Sequence, residues 1–182
     1  MEMLDIVDEH GNPTGRTVAR DKAHAEGIRH RTAHVWLLRK KENTVQILLQ
    51  KRSLTKDSFP GCYDISSAGH IPAGSGYTES AVRELQEELG ITVSQEELIF
   101  CGDRFVVWDD CFFGRPFHDR QYSRVFCLWA DRDEDGFTLQ KEELDSVLWM
   151  DLDACMDAVK ANRIPHCIIW NELNMVKAAI EP

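Results

Sequence analysis

Three glutamates, Glu84, Glu87 and Glu88, stand at i, i+3 and i+4 within the segment Arg83-Glu-Leu-Gln-Glu-Glu-Leu-Gly-Ile91. A helix through this segment turns all three carboxylates to one face. Val82, Leu85 and Leu89 fall on the other side, where they can anchor the helix to a core. Like charges one turn apart destabilise an isolated helix by roughly a few tenths of a kcal/mol, so the cluster costs stability unless a cation compensates it. Hard oxygen donors of this kind suit Mg2+ or Mn2+, ions that also hold phosphate oxygens. The same pattern also describes a solvated acidic face, with Arg83 paired to Glu87. The surrounding sequence decides between the two.

The periodicity changes on either side of the segment. Upstream lies Pro72-Ala-Gly74-Ser-Gly76, a loop rich in breakers, and Gly90 follows the last apolar position. The spacing of Ala81, Val82, Leu85 and Leu89 predicts a helix from about Thr78 to Leu89, with Thr78 as N-cap. Further upstream, Leu4–Glu9 reads as a strand running into the turn His10–Pro13. Ala33–Leu38 and Val45–Gln50 read as a hairpin, and Tyr63–Ile71 as a further run. Downstream, β-rich runs at Ile99–Trp108 and Tyr122–Trp129 flank an expected loop, Asp109–Arg120. Ser146–Met150 is a short strand, followed by helices near Asp151–Ala161 and Pro165–Ile180. The fold class expected is α/β, more narrowly α+β: a sheet covered by helices in a single domain over residues 1–182.

Composition narrows the function classes. The 182 residues are 43% hydrophobic, too many for a disordered chain, and carry a formal net charge of −10. That charge argues against an electrostatic grip on a nucleic-acid polymer or an anionic membrane. Phosphate binding in such a chain requires a local basic cluster and a metal. The acidic opening segment has no apolar run of signal-peptide type, and no stretch reaches membrane-spanning length. Six scattered cysteines with no CxxC pair read as reduced thiols rather than a zinc site, and the cytoplasm is the expected location.

Gly69 stands fourteen residues before Arg83, Gly74 lies in the connecting loop, and Gly90-Ile91 follows the helix. With the carboxylate segment this resembles the Nudix signature, a loop–helix motif spanning about residues 69–91. The motif reads G, five residues, E, seven residues, R-E-hydrophobic-x-E-E-x-G-hydrophobic. The resemblance implies a Nudix fold, a mixed β-sheet sandwiched between α-helices. It implies Mg2+ (or Mn2+) as cofactor, with Glu84, Glu87, Glu88 and the Gly69 carbonyl as its ligands and Arg83 beside them. One fixed position departs from the motif: Ser75 takes the place of the first glutamate, which in the family supports the arginine. Glu79, four residues before Arg83, is expected to replace that partner in part.

Flanking segments resemble the branch of the family that contains isopentenyl diphosphate isomerase and its hydrolase relatives. They are Gln50-Lys-Arg-Ser-Leu-Thr-Lys-Asp-Ser-Phe-Pro-Gly61, Asp64-Ile-Ser-Ser-Ala-Gly-His70, Arg20-Asp-Lys-Ala-His24 and Gly27-Ile-Arg-His-Arg31. The isomerase moves protons with a cysteine and a glutamate on opposite faces of its substrate. At the matching positions stand Ala68 and Gln121, and Cys62 is not at the motif position. The isomerase alternative is therefore rejected, leaving hydrolysis of a diphosphate linkage, with a nucleoside diphosphate derivative as the expected small-molecule substrate. The resemblance further implies that Arg52 and Lys56, with Arg20 as a third, hold the diphosphate. It also aligns His70, with His24 and His30, to a histidine metal site.

In this family water attacks a phosphorus of the diphosphate, and a carboxylate near that water acts as base. Besides the signature helix, the candidates are Glu142 and Glu143, of which Glu143, six residues before Trp149, fits the family pattern better. Phe105, Trp108, Phe112, Phe113 and Phe117 are candidates for stacking on a base, though such residues are more often core or subunit contacts. The Asp109–Arg120 segment could shape a dimer interface, and a homodimer is a family-level expectation. The alternative of another class is a non-catalytic ligand sensor on the same fold. Such a protein is expected to lack the metal carboxylates, and all three are here.

Overall fold

The structure, a computed structural model, describes residues 2–181. Its strands are β1 (Met3–Val7), β2 (Pro13–Ala19), β3 (His30–Lys41), β4 (Thr44–Arg52), β5 (Tyr63–Asp64), β6 (Ser67–His70), β7 (Ile99–Phe112), β8 (Arg115–Trp129) and β9 (Leu144–Asp151). Its helices are α1 (Arg20–Glu26), α2 (Tyr77–Leu89), α3 (Leu152–Lys160) and α4 (Trp170–Ile180).

β3 organises the molecule. It is buried from His30 to Arg39, which is why Ala33-His-Val-Trp-Leu-Leu38 reads as a near-continuous apolar run rather than an alternation. It runs parallel to β8, from His30 opposite Gln121 to Leu38 opposite Trp129. On its other edge, β6 pairs antiparallel with Thr32–Val35 and β4 with Leu38–Lys41. Where those two partners part, the Ser66 hydroxyl fills the ladder. It accepts from the Leu37 amide at 2.8 Å and donates to the Leu48 carbonyl at 2.6 Å. β7 extends the sheet beyond β8, β5 and β9 pair with β4, and β1 and β2 form a separate two-stranded sheet.

Successive β3 side chains point to opposite faces, and both faces are covered. Ala33, Val35 and Leu37 pack with Phe126 and Leu128 against Ala81, Leu85 and Leu89 of α2. Trp36, Leu38, Val125 and Cys127 pack beneath Leu152, Cys155 and Val159 of α3 and Leu173 and Val176 of α4. This is the expected mixed sheet between helices. The carboxylate helix lies on one face, and the two C-terminal helices lie on the other.

Several boundaries differ from the sequence reading. Asp109–Arg120 is not a loop: β7 and β8 form one long hairpin that turns at Phe113-Gly114, with Phe112 opposite Arg115. Both turn residues have positive φ, 50° and 75°, as a two-residue hairpin turn requires. The charged residues that suggest a loop are cross-strand partners, with Asp109 bonded to His118 at 2.7 Å and to Arg120 at 2.8 Å. The N-cap of α2 is Gly76 rather than Thr78, whose hydroxyl donates to Gln95 instead. Tyr63–Ile71 contains two short strands, and the last helix starts at Trp170 instead of Pro165. β2 and α1 had no counterpart in the sequence reading.

Candidate active site

A cavity of about 310 Å³ lies against the N-terminal half of β3, bounded by the carboxylate helix on one side and by β7 and β8 on the other. Arg83, Glu84, Glu87, Glu88, Gly69 and His70 all line it, as do Arg20, Arg52, Lys56 and Glu143. The residues named from sequence therefore meet in one place. Glu142 is not among the lining residues.

Helix α2 approaches β6 so closely that a Cβ on Gly69 would stand 2.1 Å from Glu84 Cδ. Only glycine lets the Glu84 carboxylate lie along the backbone there. Burial pushes Glu84 up to about 7 against the pull of Arg83, with Glu87 adding repulsion. Burial also pushes Glu88 up to about 8, which Glu84 and Glu143 reinforce and the Ser67 hydroxyl and Ala68 amide oppose. Arg83 reaches Glu84 at 2.6 Å and Glu87 at 2.8 Å, one cation for three carboxylates. A divalent cation fits what this group lacks, namely compensating positive charge delivered to hard oxygen donors. Glu79 does not pair with Arg83 as expected from sequence. Its carboxylate accepts from the Gly76 amide at 3.3 Å, so it caps the helix. The loop before α2 is held from outside instead: Arg31 donates to Asp5 and to the Ser75 carbonyl, and Asp5 also accepts from the Gly74 amide.

The histidines converge more tightly than the glutamates. Among the described residues, His24, His30 and His70 are the set whose ligand atoms all lie within 4.8 Å of one another. Burial lowers His24 to about 3, holds His70 well below its ordinary value and lowers His30, so all three rings are neutral. Neutral rings are what metal ligation needs. His30 Nδ1 faces the Ile28 carbonyl at 2.8 Å, while its Nε2 is buried with no partner. Asp119 Oδ1, also buried and unpartnered, lies 3.6 Å from that nitrogen. Burial pushes Asp119 up to about 7 despite the Arg120 amide, Arg104 and Arg120. A buried imidazole nitrogen and a buried carboxyl oxygen, each without a hydrogen-bond partner, are a donor set that suits a cation.

The basic residues are differently placed. Lys56 is paired with Glu143, so the candidate base and a candidate phosphate ligand meet in the cavity. Arg20 is matched to Glu2 at 3.3 Å. Arg52 bonds Asp64 at 2.9 Å and the Ser58 carbonyl at 2.9 and 3.1 Å, which ties down the segment from Ser53 to Cys62. From that segment Phe59 meets Trp108 and Phe112 edge to face. Phe59, Trp108 and Phe117 line the cavity. Phe105 stacks on Tyr122 elsewhere, and Phe113 is exposed at the hairpin tip.

Sequence reasoning missed Thr32, His34 and Arg104, which line the inner end of the cavity beside Gln121. Behind them Glu172 of α4 is fully buried. It accepts from Trp36 Nε1 at 2.8 Å and His34 Nδ1 at 3.0 Å, and faces Arg104 Nε at 2.5 Å. Burial would raise its pKa, but His34, then Arg104 and Trp36, outweigh burial and hold it at about 2. The available signal was a glutamate on the apolar side of the last helix, in line with Leu173 and Val176.

Ala68 and Gln121 both line the cavity, Cys62 is not a lining residue, and burial raises the Cys167 thiol far above its ordinary value. Cys167 does line the cavity, but not from the isomerase motif position, where Ala68 stands. Among the described residues, no helix is long and apolar enough to cross a membrane.

Comparison with known proteins agrees with this geometry. Residues 28–169 match the family model of the NUDIX domain. The chain is 39% identical over 152 residues to Nudix hydrolase 3 of Arabidopsis thaliana, covering 82% of this chain but only 19% of that protein. Among solved structures, a Deinococcus radiodurans protein superposes with a TM-score of 0.70 at 19% identity, over 99% of this chain and 100% of that one. A C. elegans Ap4A hydrolase superposes with a TM-score of 0.56 at 20% identity, over 81% and 95%. With the loop–helix motif folded against the sheet as the motif requires and the family model spanning most of the sequence, the chain belongs to the Nudix family.

Proposed function

We propose that the protein is a Mg2+-dependent (or Mn2+-dependent) hydrolase that cleaves the diphosphate linkage of a nucleoside diphosphate derivative. The observation that carries this is the meeting of Glu84, Glu87, Glu88 and Gly69 with Lys56, Arg20 and Glu143 around one cavity. Glu84, Glu87, Glu88 and the Gly69 carbonyl would hold the cation. When bound, it supplies neutralisation of phosphate charge and a more acidic water. Lys56 and Arg20 then bind diphosphate oxygens, and Arg52 keeps the Lys56 segment in place. A phosphate that draws Lys56 away frees Glu143 to take the proton of the attacking water. His24, His30, His70 and Asp119 would hold a second cation. Phe59, Trp108 and Phe117 offer faces on which a base can stack, and the C. elegans structural relative is named for a dinucleotide substrate. All six thiols are free, which suits a cytoplasmic location.

The test is a hydrolysis screen with Mg2+ over nucleoside di- and triphosphates, dinucleoside polyphosphates, nucleotide sugars and prenyl diphosphates. Wild type is expected to release phosphate or a nucleotide from at least one class. Glu88→Gln is expected to lose most of that turnover, on the order of a hundredfold or more, with the fold intact. Full turnover in Glu88→Gln, or no metal-dependent cleavage of any class, overturns the assignment.

A further inference from the structure

We propose that Arg104 is a specificity-determining residue. It donates to a neutral oxygen acceptor, such as a ring or amide carbonyl, on the organic group attached to the diphosphate. This rests on the diphosphate reading of the same cavity.

Arg104 comes from β7 and lines the cavity's inner end. Its Nε is 2.5 Å from Glu172 Oε2, an ion pair without hydrogen-bond geometry. The two terminal nitrogens are left without acceptors. Nη1 is buried and has no partner. Nη2 lies 3.3 Å from His34 Nδ1, but that nitrogen faces both Glu172 oxygens, at 3.0 and 3.2 Å. Its proton belongs to the carboxylate, so it has no lone pair to offer Arg104. A charge-paired guanidinium with unspent N–H groups is a ready donor. Gln121 Oε1 already takes the Thr32 hydroxyl at 3.3 Å, and Gln121 Nε2 donates to Asp119 at 2.5 Å.

Charge and shape restrict the ligand. Glu172 already cancels the charge of Arg104, so a second full anion there would face the buried carboxylate. A neutral carbonyl satisfies the donors without that repulsion. Ile65, Val106, Ile169 and Trp108 also line the cavity, giving apolar sides to a polar floor, as a flat heterocycle needs. A hydrocarbon chain in the same space would strip water from Arg104 and return nothing.

The experiment measures binding in the presence of Mg2+ by calorimetry, with three non-hydrolysable probes. They are uridine α,β-methylene diphosphate, the dimethylallyl ester of methylenediphosphonate, and methylenediphosphonate alone. Wild type is expected to bind the uridine probe at least about tenfold more tightly than the dimethylallyl probe. Arg104→Met is expected to erase that preference while binding methylenediphosphonate as wild type does. If Arg104→Met does not fold, Arg104→Lys, which keeps the charge beside Glu172 but not the planar fork, is expected to reduce the preference. Equal wild-type affinity for the two esters, or an undiminished preference in the folded variant, overturns the proposal. Intact preference in a protein that hydrolyses nothing would count against the proposed activity and leave this inference standing.

Discussion

Replacing Glu172 by glutamine changes one oxygen to nitrogen in a side chain with no solvent access. It leaves the Arg104 guanidinium without its counter-charge and turns an amide N–H toward a ring of donors. Removing one member of a buried ion pair costs about 3–5 kcal/mol, because the survivor remains buried and unpaired. Linkage gives a similar size. Holding the carboxyl at about 2 instead of the usual 4.5 corresponds to roughly 3 kcal/mol of stability. For a domain of this length each kcal/mol moves the midpoint by about 2–4 °C, so Glu172→Gln should melt about 6–20 °C below wild type at pH 7. The sign with pH follows from the depressed value. The stabilisation is complete above about pH 4.5 and is lost as the pH falls toward 2, so the gap between wild type and variant narrows over that window. Urea unfolding at several pH values measures it, and the double variant with Arg104→Met should recover part of the loss. A gap under about 1 kcal/mol at pH 7, or one that widens on acidification, would refute the reasoning.

Two further changes separate positioning from capping on the carboxylate helix. Gly69→Ala would put a methyl 2.1 Å from Glu84 Cδ; the carboxylate must swing away, and turnover should fall on the order of a hundredfold with little change in circular dichroism. Unchanged turnover with unchanged apparent Mg2+ affinity would show that Glu84 has no fixed role. Glu79→Ala removes the acceptor of the Gly76 amide and should cost about 0.5–1 kcal/mol in urea unfolding while leaving turnover near wild type. A large loss of turnover would return Glu79 to the role of Arg83's support.

The site was legible in the sequence where its logic is local. Glu84, Glu87 and Glu88 share a face because of helical period alone, and the glycines at 69 and 90 mark where the backbone must come close or turn. The long hairpin was not legible, since Asp109, His118 and Arg120 look like loop residues until they are seen to pair across two strands. Thr78 looked like a cap because glycine has no side chain with which to announce Gly76. The inner end of the cavity was out of reach for another reason. His34 and Glu172 are 138 residues apart, and nothing in either local segment names the other. Phe59 was likewise hidden in a segment whose course is set by Arg52 and not by its own pattern.

The placement of Glu172 has a consequence for how this enzyme fold can change its diet. The family match runs from residue 28 to residue 169. That interval contains the whole carboxylate helix, yet it stops short of the acid that holds Arg104 and begins after Arg20 and His24. A chain trimmed to those limits would keep the carboxylate helix but lose Arg20, His24 and the buried acid that pairs with Arg104. The cavity thus depends on residues outside the matched interval at both of its ends. Substitutions in the first and last helices would reach the cavity without touching the signature, and no inspection of the signature would reveal it.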